Sequence, residues 1–177
     1  MAIPREDGAP ASEEFRRTIT VSSPDFTDGS PLNPENTCDG ADRSPALNFL
    51  NVGRDAVSLV LILEDADASV KTPEKPIFCH WIAYDIPPSL TGLRADFPGD
   101  TLAEGGIKQG VNDFRKTGYG GPCPQKGSHR YYFRVYAIDT MLNLEPLSTD
   151  WSVITAAIKG HVAGYGEIMG TYQKVKI

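Results

Sequence analysis

The sequence predicts a mainly β protein, an antiparallel β-sandwich with one peripheral C-terminal helix and short helical turns. Several short runs of apolar and β-branched residues are bounded by clusters of Gly, Pro, Asn and Asp, which is typical of strands and their turns. Only one segment, near the C-terminus, repeats its apolar residues at helical spacing. Strands and helices do not alternate along the chain, so a parallel α/β sheet is not expected.

The strands are expected at 15–21, 47–50, 56–64, 77–86, 131–138 and 171–177. The run from Val57 to Leu63 is the most apolar in the chain. An unbroken apolar run of this length predicts a strand that is buried on both faces. Thr149 or Asp150 caps the expected helix, whose apolar positions repeat at three and four residues: Trp151, Ile154, Ala157, Ile158 and Val162.

Length and composition restrict the class of protein. A chain of 177 residues is most simply one domain, which we place at 15–177 after a loose N-terminal arm at 1–14. A net charge of −6 without a basic run argues against a nucleic-acid partner. No apolar stretch is long enough for an integral membrane segment, and the first residues do not resemble a signal peptide. We therefore expect a cytoplasmic protein.

The three cysteines, Cys38, Cys79 and Cys123, are an odd number without metal-finger spacing, which fits a reducing compartment and predicts no metal site. Cys79 precedes His80 on a strand, so the two side chains should face opposite sides and cannot form a nucleophile–base pair. Cys38 and Cys123 lie in two long loops that we expect to meet at the same mouth. We therefore hypothesise that Cys38 and Cys123 form a disulfide.

A glycine- and proline-rich loop runs from Gly118 into the strand that begins near Tyr131. His129 and Tyr131 lie two residues apart and share a strand face. Together with His80 and the glycine amides, they form a candidate pocket for a small anion such as phosphate or a phosphorylated headgroup. Asp65 or Asp67, which end the apolar strand, would orient an imidazole.

Structural explanations exist for the same residues. A histidine on a strand is often a hydrogen-bonded core residue, and Asp at a strand end often serves a turn. His161, on the expected helix, is assigned to structure. A histidine and a carboxylate could also activate water in a hydrolase, although the sequence supplies no clear nucleophile or metal for that reaction.

Several motifs occur in an order that resembles the phosphatidylethanolamine-binding proteins, and more closely their bacterial and archaeal Raf kinase inhibitor-like branch. The motifs are Thr37-Cys38-Asp39-Gly40, Ser44-Pro45, Asp65-Ala66-Asp67-Ala68, His80-Trp81, Ile86-Pro87-Pro88, Asn112-Asp113, Gly118 to Pro124, Gly127 to Tyr131, Gly160-His161-Val162 and Gly170-Thr171-Tyr172. The resemblance implies a Greek-key β-sandwich. It also implies a small anion pocket lined by Asp65, His80, Gly121, His129 and Tyr131, with Asp67 close by.

This sequence departs from the family pattern where Ala66 and Ser69 replace two prolines. The second proline shapes the pocket wall through a cis bond in the family, and a cis bond before Ser69 would cost about 3 kcal/mol. The wall near Asp67 is therefore expected to differ.

The resemblance implies a non-catalytic binding protein without a cofactor that modulates a partner such as a kinase or a protease, and a homodimer is plausible by the same resemblance. The alternatives are the hydrolase described above and a protease inhibitor that acts through an exposed loop.

Overall fold

The computed structural model describes residues 15, 17–69 and 72–174, so the proposed arm at 1–14 lies outside the described residues. Two antiparallel sheets and one α-helix confirm the predicted fold class. The strands are β1 Thr20–Ser22, β2 Leu47–Leu50, β3 Ser58–Asp65, β4 Phe78–Ile86, β5 Gly92–Leu93, β6 Lys108–Gln109, β7 Ser128–Ile138 and β8 Val162–Gln173. The helix α1 spans Trp151–Ile158, and short 3-10 turns lie at Pro34–Asn36, Glu104–Gly106 and Pro146–Ser148.

The smaller sheet has the strand order β1-β2-β5, and the larger sheet has the order β6-β4-β3-β7-β8. One apolar core fills the space between the two sheets, with Phe49 from the small sheet and Leu61 from the large one. A second core lies on the other face of the large sheet, beneath α1, where Ile62 packs with Trp151 and Ile154. The large sheet is therefore covered on both faces.

The strand β3 is buried over its full length, as the apolar run predicts. Leu59, Leu61 and Leu63 belong to the core between the sheets, whereas Val60 and Ile62 belong to the core beneath α1. Alternating side chains of a strand point to opposite faces. Because both faces are covered, neither face of β3 carries the polar alternation that a surface strand shows.

The end of the chain differs from the prediction. The helix ends at Ile158, so Val162 is not helical but begins β8, which replaces the short final strand expected at 171–177. The backbone reverses at Gly160, whose φ of 80° favours glycine. Gly166 reflects close strand packing rather than a fraying helix, because a Cβ there would overlap the carbonyl oxygen of Ile19.

Smaller differences affect other boundaries. The first strand begins at Thr20 rather than at residue 15, and the strand expected at 131–138 begins at Ser128. Residues 175–177 of the expected last strand lie outside the described residues. α1 has eight residues, and no helix in the described part of the chain has the length and hydropathy of a membrane span.

A buried ionic network joins the large sheet to α1. The guanidinium of Arg134 donates from Nε to Glu64 Oε1 (2.7 Å) and from Nη1 to Glu167 Oε1 (2.9 Å). The indole Nε1 of Trp151 donates to the other oxygen of Glu64 (2.6 Å). Burial raises the pKa of Glu64, and the charge of Arg134 opposes that shift. The Trp151 indole thus joins the helix to Glu64, and the charge pair of Glu64 with Arg134 lies within the sheet, where leaving either partner unpaired is costly.

Cys38 and Cys123 form a disulfide, which confirms the hypothesis of that pairing. The bridge joins two loops that are 85 residues apart in sequence, and Cys38 N also donates to Pro122 O (3.1 Å). Cys79 is a buried free thiol. Two of the three cysteines are therefore oxidised, which does not fit the reduced state inferred from their odd number.

Replacing Glu64 with Ala should lower the free energy of unfolding by about 3–5 kcal/mol, because it leaves the Arg134 guanidinium buried without its main counter-charge. Urea unfolding measures this loss. The matched control is Glu104→Ala, which removes an ion pair to Arg94 whose side chains are both more than half exposed. That change should cost less than about 1 kcal/mol. Equal losses in the two variants would contradict a stabilising role for the buried network.

Removing the disulfide with the double change Cys38→Ser and Cys123→Ser should lower the free energy of unfolding by about 2–4 kcal/mol, because the bridge closes a long loop in the unfolded chain. Urea unfolding of the double variant against the parent measures the change. A thiol count in denaturant should give one free thiol before reduction and three afterwards. Three thiols before reduction would show that the bridge does not form.

Candidate functional site

The candidate site lies where the C-terminal end of β3 meets the beginnings of β4 and β7. Antiparallel pairing places Asp65, the last residue of β3, opposite Phe78 on one side and Tyr131 on the other. His80 lies two residues after Phe78, and His129 lies two residues before Tyr131. Residues that are far apart in sequence therefore meet at one end of the central strands of the large sheet, because β3 runs antiparallel to both neighbours.

His129 is held by two acceptors. Its Nδ1 lies 2.7 Å from Asp65 Oδ2, and its Nε2 lies 3.1 Å from the carbonyl oxygen of Lys126. A carboxylate and a carbonyl oxygen both accept hydrogen bonds, so the ring makes both bonds only when both nitrogens carry protons.

Asp65 and Asp67 have different tasks. Asp65 binds His129 with one oxygen and accepts from the Asp67 N–H with the other (2.8 Å). Asp67 binds Arg130 through three hydrogen bonds of 2.8–2.9 Å, two from the guanidinium and one from the backbone N–H. The side-chain bonds from Arg130 are the main reason that the pKa of Asp67 is lowered. No cis peptide bond occurs among the described residues, which include Ala68 and Ser69.

His80 is fixed by the loop opposite. Its Nδ1 donates to Gly120 O (2.7 Å), and the N–H of Gly120 donates to the carbonyl oxygen of His80 (2.9 Å). The ring is 3% exposed and packs edge-on against Phe78, Phe114 and Tyr131. Burial lowers the pKa of His80, and the bond to Gly120 opposes that shift.

Tyr131 and Gly121 do not line the open cavity. The Tyr131 ring is fully buried and packs against both His80 and His129, and its hydroxyl has no hydrogen-bond partner within the described residues. Burial, with a contribution from Asp65, raises its pKa. The Gly121 N–H donates to Asp42 Oδ1 (3.0 Å), so a side chain of this protein already uses that amide.

A cavity of about 700 Å³ opens at this end of the central strands. Four of the six predicted site residues line it: Asp65, Asp67, His80 and His129. Its wall also includes Phe78, Phe114, Cys123 and the loop from Pro124 to Gly127. No sequence pattern indicated a site role for Phe78, Phe114, Lys126 or Asp42. Phe114 lies in a stretch without periodic pattern, and no sequence signal would have placed its ring beside His80.

The geometry gives little support to nucleophilic chemistry. Cys79 is buried in the core beneath α1, on the face away from His80, as the strand alternation predicts. Burial raises its pKa well above the ordinary value, which disfavours the reactive thiolate. Within the described residues, no group of three or more His, Cys, Asp and Glu side chains has a metal-binding arrangement.

Replacing Arg130 with Met should raise the pKa of Asp67, because the guanidinium bonds that lower it are lost while its partial burial remains. A carboxyl NMR titration measures the pKa in both proteins. Arg94→Met, which removes a guanidinium bonded to Glu104, should leave it unchanged. An unaltered Asp67 pKa in the Arg130 variant would contradict the assignment of the shift.

The Asp67–Arg130 pair also makes the stability of the fold depend on pH. A carboxyl whose pKa is lower in the folded state stabilises the fold above the pKa of the unfolded chain, and this contribution is lost as pH falls through the folded-state pKa. Asp67 therefore stabilises the protein at neutral pH and stops doing so in acid.

Comparisons with known proteins agree with this architecture. The family model described as phosphatidylethanolamine-binding protein matches residues 22–173. A UPF0098 protein of Methanothermobacter thermautotrophicus is 41% identical over 149 residues, which cover 84% of this chain and 95% of that protein. The crystal structure of a putative phosphatidylethanolamine-binding protein homologue, CT736 of Chlamydia trachomatis, matches with a TM-score of 0.80 and 35% identity over 90% of this chain and all of that one. The crystal structure of YbcL of Escherichia coli, described as a new member of the mammalian PEBP family, matches with a TM-score of 0.80 and 26% identity over 89% of this chain and 99% of that one.

The match includes the strands β2 to β8, the helix and the strand ends at which Asp65, His80 and His129 meet. The chain therefore belongs to the phosphatidylethanolamine-binding protein family.

Proposed function

We propose that this protein is a non-catalytic binding and regulatory protein whose cavity takes a phosphate group carried by a small molecule, a headgroup or a phosphorylated side chain. The observation that carries the proposal is the His129–Asp65 pair at the cavity wall, beside the buried His80. Membership of the family supports a binding role. By the same resemblance, we propose that occupancy of the cavity changes the contact with a protein partner such as a kinase or a protease.

The charges at the wall suit an anion although the whole chain is acidic. His129 makes both of its hydrogen bonds only when both ring nitrogens carry protons, and Lys126 lines the same wall. Arg130 neutralises Asp67, so that carboxylate repels a bound anion less than an unpaired one would. A ligand oxygen can replace the Lys126 carbonyl at His129 Nε2, which is a single hydrogen bond of 3.1 Å.

The alternatives are less well supported. A hydrolase built on the His129–Asp65 pair would need His129 as its base, but a ring bonded to two acceptors has no lone pair for a proton. No observation identifies an exposed loop as a protease inhibitor. A cytoplasmic location stays a prediction, and the Cys38–Cys123 disulfide weighs against a strongly reducing compartment.

Titration with inorganic phosphate should shift the imidazole NMR signals of His80 and His129 but not those of His161, which lies away from the cavity and pairs with Asp139. His129→Ala should weaken binding by about tenfold or more, because a hydrogen bond from a charged donor is lost. His161→Ala is the matched control and should bind like the parent. Unchanged affinity in folded His129→Ala, or no shift at millimolar phosphate, would contradict the proposal.

Affinity should also depend on pH. An anion held by a protonated imidazole binds more weakly once that proton is removed, so affinity should fall as pH rises. Calorimetric titrations from about pH 6 to about pH 9 measure the trend. A flat profile would remove the histidine charge from the binding site.

A further inference from the structure

The hydrogen bonds of His80 decide which of its nitrogens carries a proton. Gly120 O can only accept, so the 2.7 Å contact requires a proton on Nδ1. The reverse bond from the Gly120 N–H to the carbonyl oxygen of His80 holds the two backbones in register. The neutral ring in this tautomer has a lone pair on Nε2, which is the only polar ring atom left for a ligand.

The surroundings of His80 oppose a second proton. The rings of Phe78, Phe114 and Tyr131 lie with their centroids 5.1, 5.2 and 5.4 Å from the imidazole, and only 3% of the residue is exposed. Asp65 and Asp113 are the charged groups that favour protonation, yet burial outweighs them and lowers the pKa. His80 is therefore an acceptor at neutral pH.

A second acceptor lies on the same wall. Asp65 uses one oxygen for His129 and the other for the Asp67 N–H, and a carboxylate oxygen has a further lone pair beyond each of these bonds. His129, whose two ring nitrogens both face acceptors, and Lys126 also line the cavity. A ligand that meets both sets of groups needs negative charge on one side and a proton to donate on the other.

We infer that the cavity selects oxyanions that carry a proton, namely phosphate and phosphomonoesters, over sulfate and over phosphodiesters. The inference rests on the proposed function and narrows its ligand. The P–OH group of the ligand donates to His80 Nε2 or to Asp65, and its charged oxygens face His129. Sulfate at neutral pH has no proton, and neither has the phosphodiester of an intact phospholipid. Either ligand would therefore place a negatively charged oxygen against the acceptors of His80 and Asp65.

Calorimetry with the wild-type protein at about pH 7 compares phosphate with sulfate, which have the same shape. Phosphate should bind about tenfold or more tightly, because a buried acceptor without a donor is costly. Equal affinities would overturn the inference and leave the phosphate pocket standing. If neither ion binds at millimolar concentration, the proposed function fails and this inference fails with it.

A second comparison separates the possible sources of the phosphate group. At about pH 6, where a phosphomonoester retains a proton on a large part of its molecules, methyl phosphate should bind about tenfold or more tightly than dimethyl phosphate. O-phosphorylethanolamine should exceed glycerophosphoethanolamine, the diester found in a lipid headgroup, by a similar factor. Diester binding as tight as monoester binding would overturn the inference.

The variant His80→Gln tests the role of His80 as an acceptor. The glutamine amide can present an N–H donor where the histidine has a lone pair. The preference for phosphate over sulfate should fall to within about threefold, while His161→Gln, a matched change away from the cavity, should keep it. Chemical denaturation shows whether each variant is folded. A folded His80→Gln protein with an undiminished preference would overturn the assignment to His80.

Discussion

The antiparallel pairing of β3 with both β4 and β7 is the constraint on which the site depends. It brings the end of β3 beside the beginnings of its two neighbours, so Asp65 lies next to Tyr131 in register and near His80 and His129. A shift of one residue would turn every side chain of β3 to the opposite face. Such a shift is costly because both faces of β3 are buried. The packing of the sheet and the geometry of the site therefore have the same origin.

Two consecutive carboxylates at the end of β3 have different surroundings, because successive side chains of a strand point to opposite faces of the sheet. Glu64 points beneath α1, where Arg134 and Trp151 bind it in the protein interior. Asp65 points to the cavity and binds His129. Glu64 fixes α1 against the sheet through Trp151, and Asp65 orients the imidazole of His129 at the end of the strand. A carboxylate is stable in both places because a nearby hydrogen-bond donor compensates for the water that it loses on burial.

The cavity wall is built largely from loops that are fixed by contacts from distant parts of the chain. The disulfide joins the loop of Cys38 to the loop of Cys123, Gly120 is bonded to His80, and Asp42 takes the Gly121 amide. In the pocket that we propose, these contacts set which hydrogen-bonding atoms face a ligand. His80 Nδ1 donates to Gly120 O, which leaves Nε2 as an acceptor, whereas both ring nitrogens of His129 face acceptors, so we propose different roles for the two histidines.

The sequence alone determined the fold class, the doubly buried strand and the gathering of Asp65, His80 and His129, because apolar runs and alternation are local patterns and the motif order is specific. It also indicated that Cys79 faces away from His80. Only the tertiary structure decided that the helix ends before Val162, that Asp42 occupies the Gly121 amide, and that Glu64 pairs with Arg134. The physical reason is distance along the chain: a hydrogen bond between residues tens of positions apart leaves no periodic trace in the sequence, and it exists only once the sheets have packed.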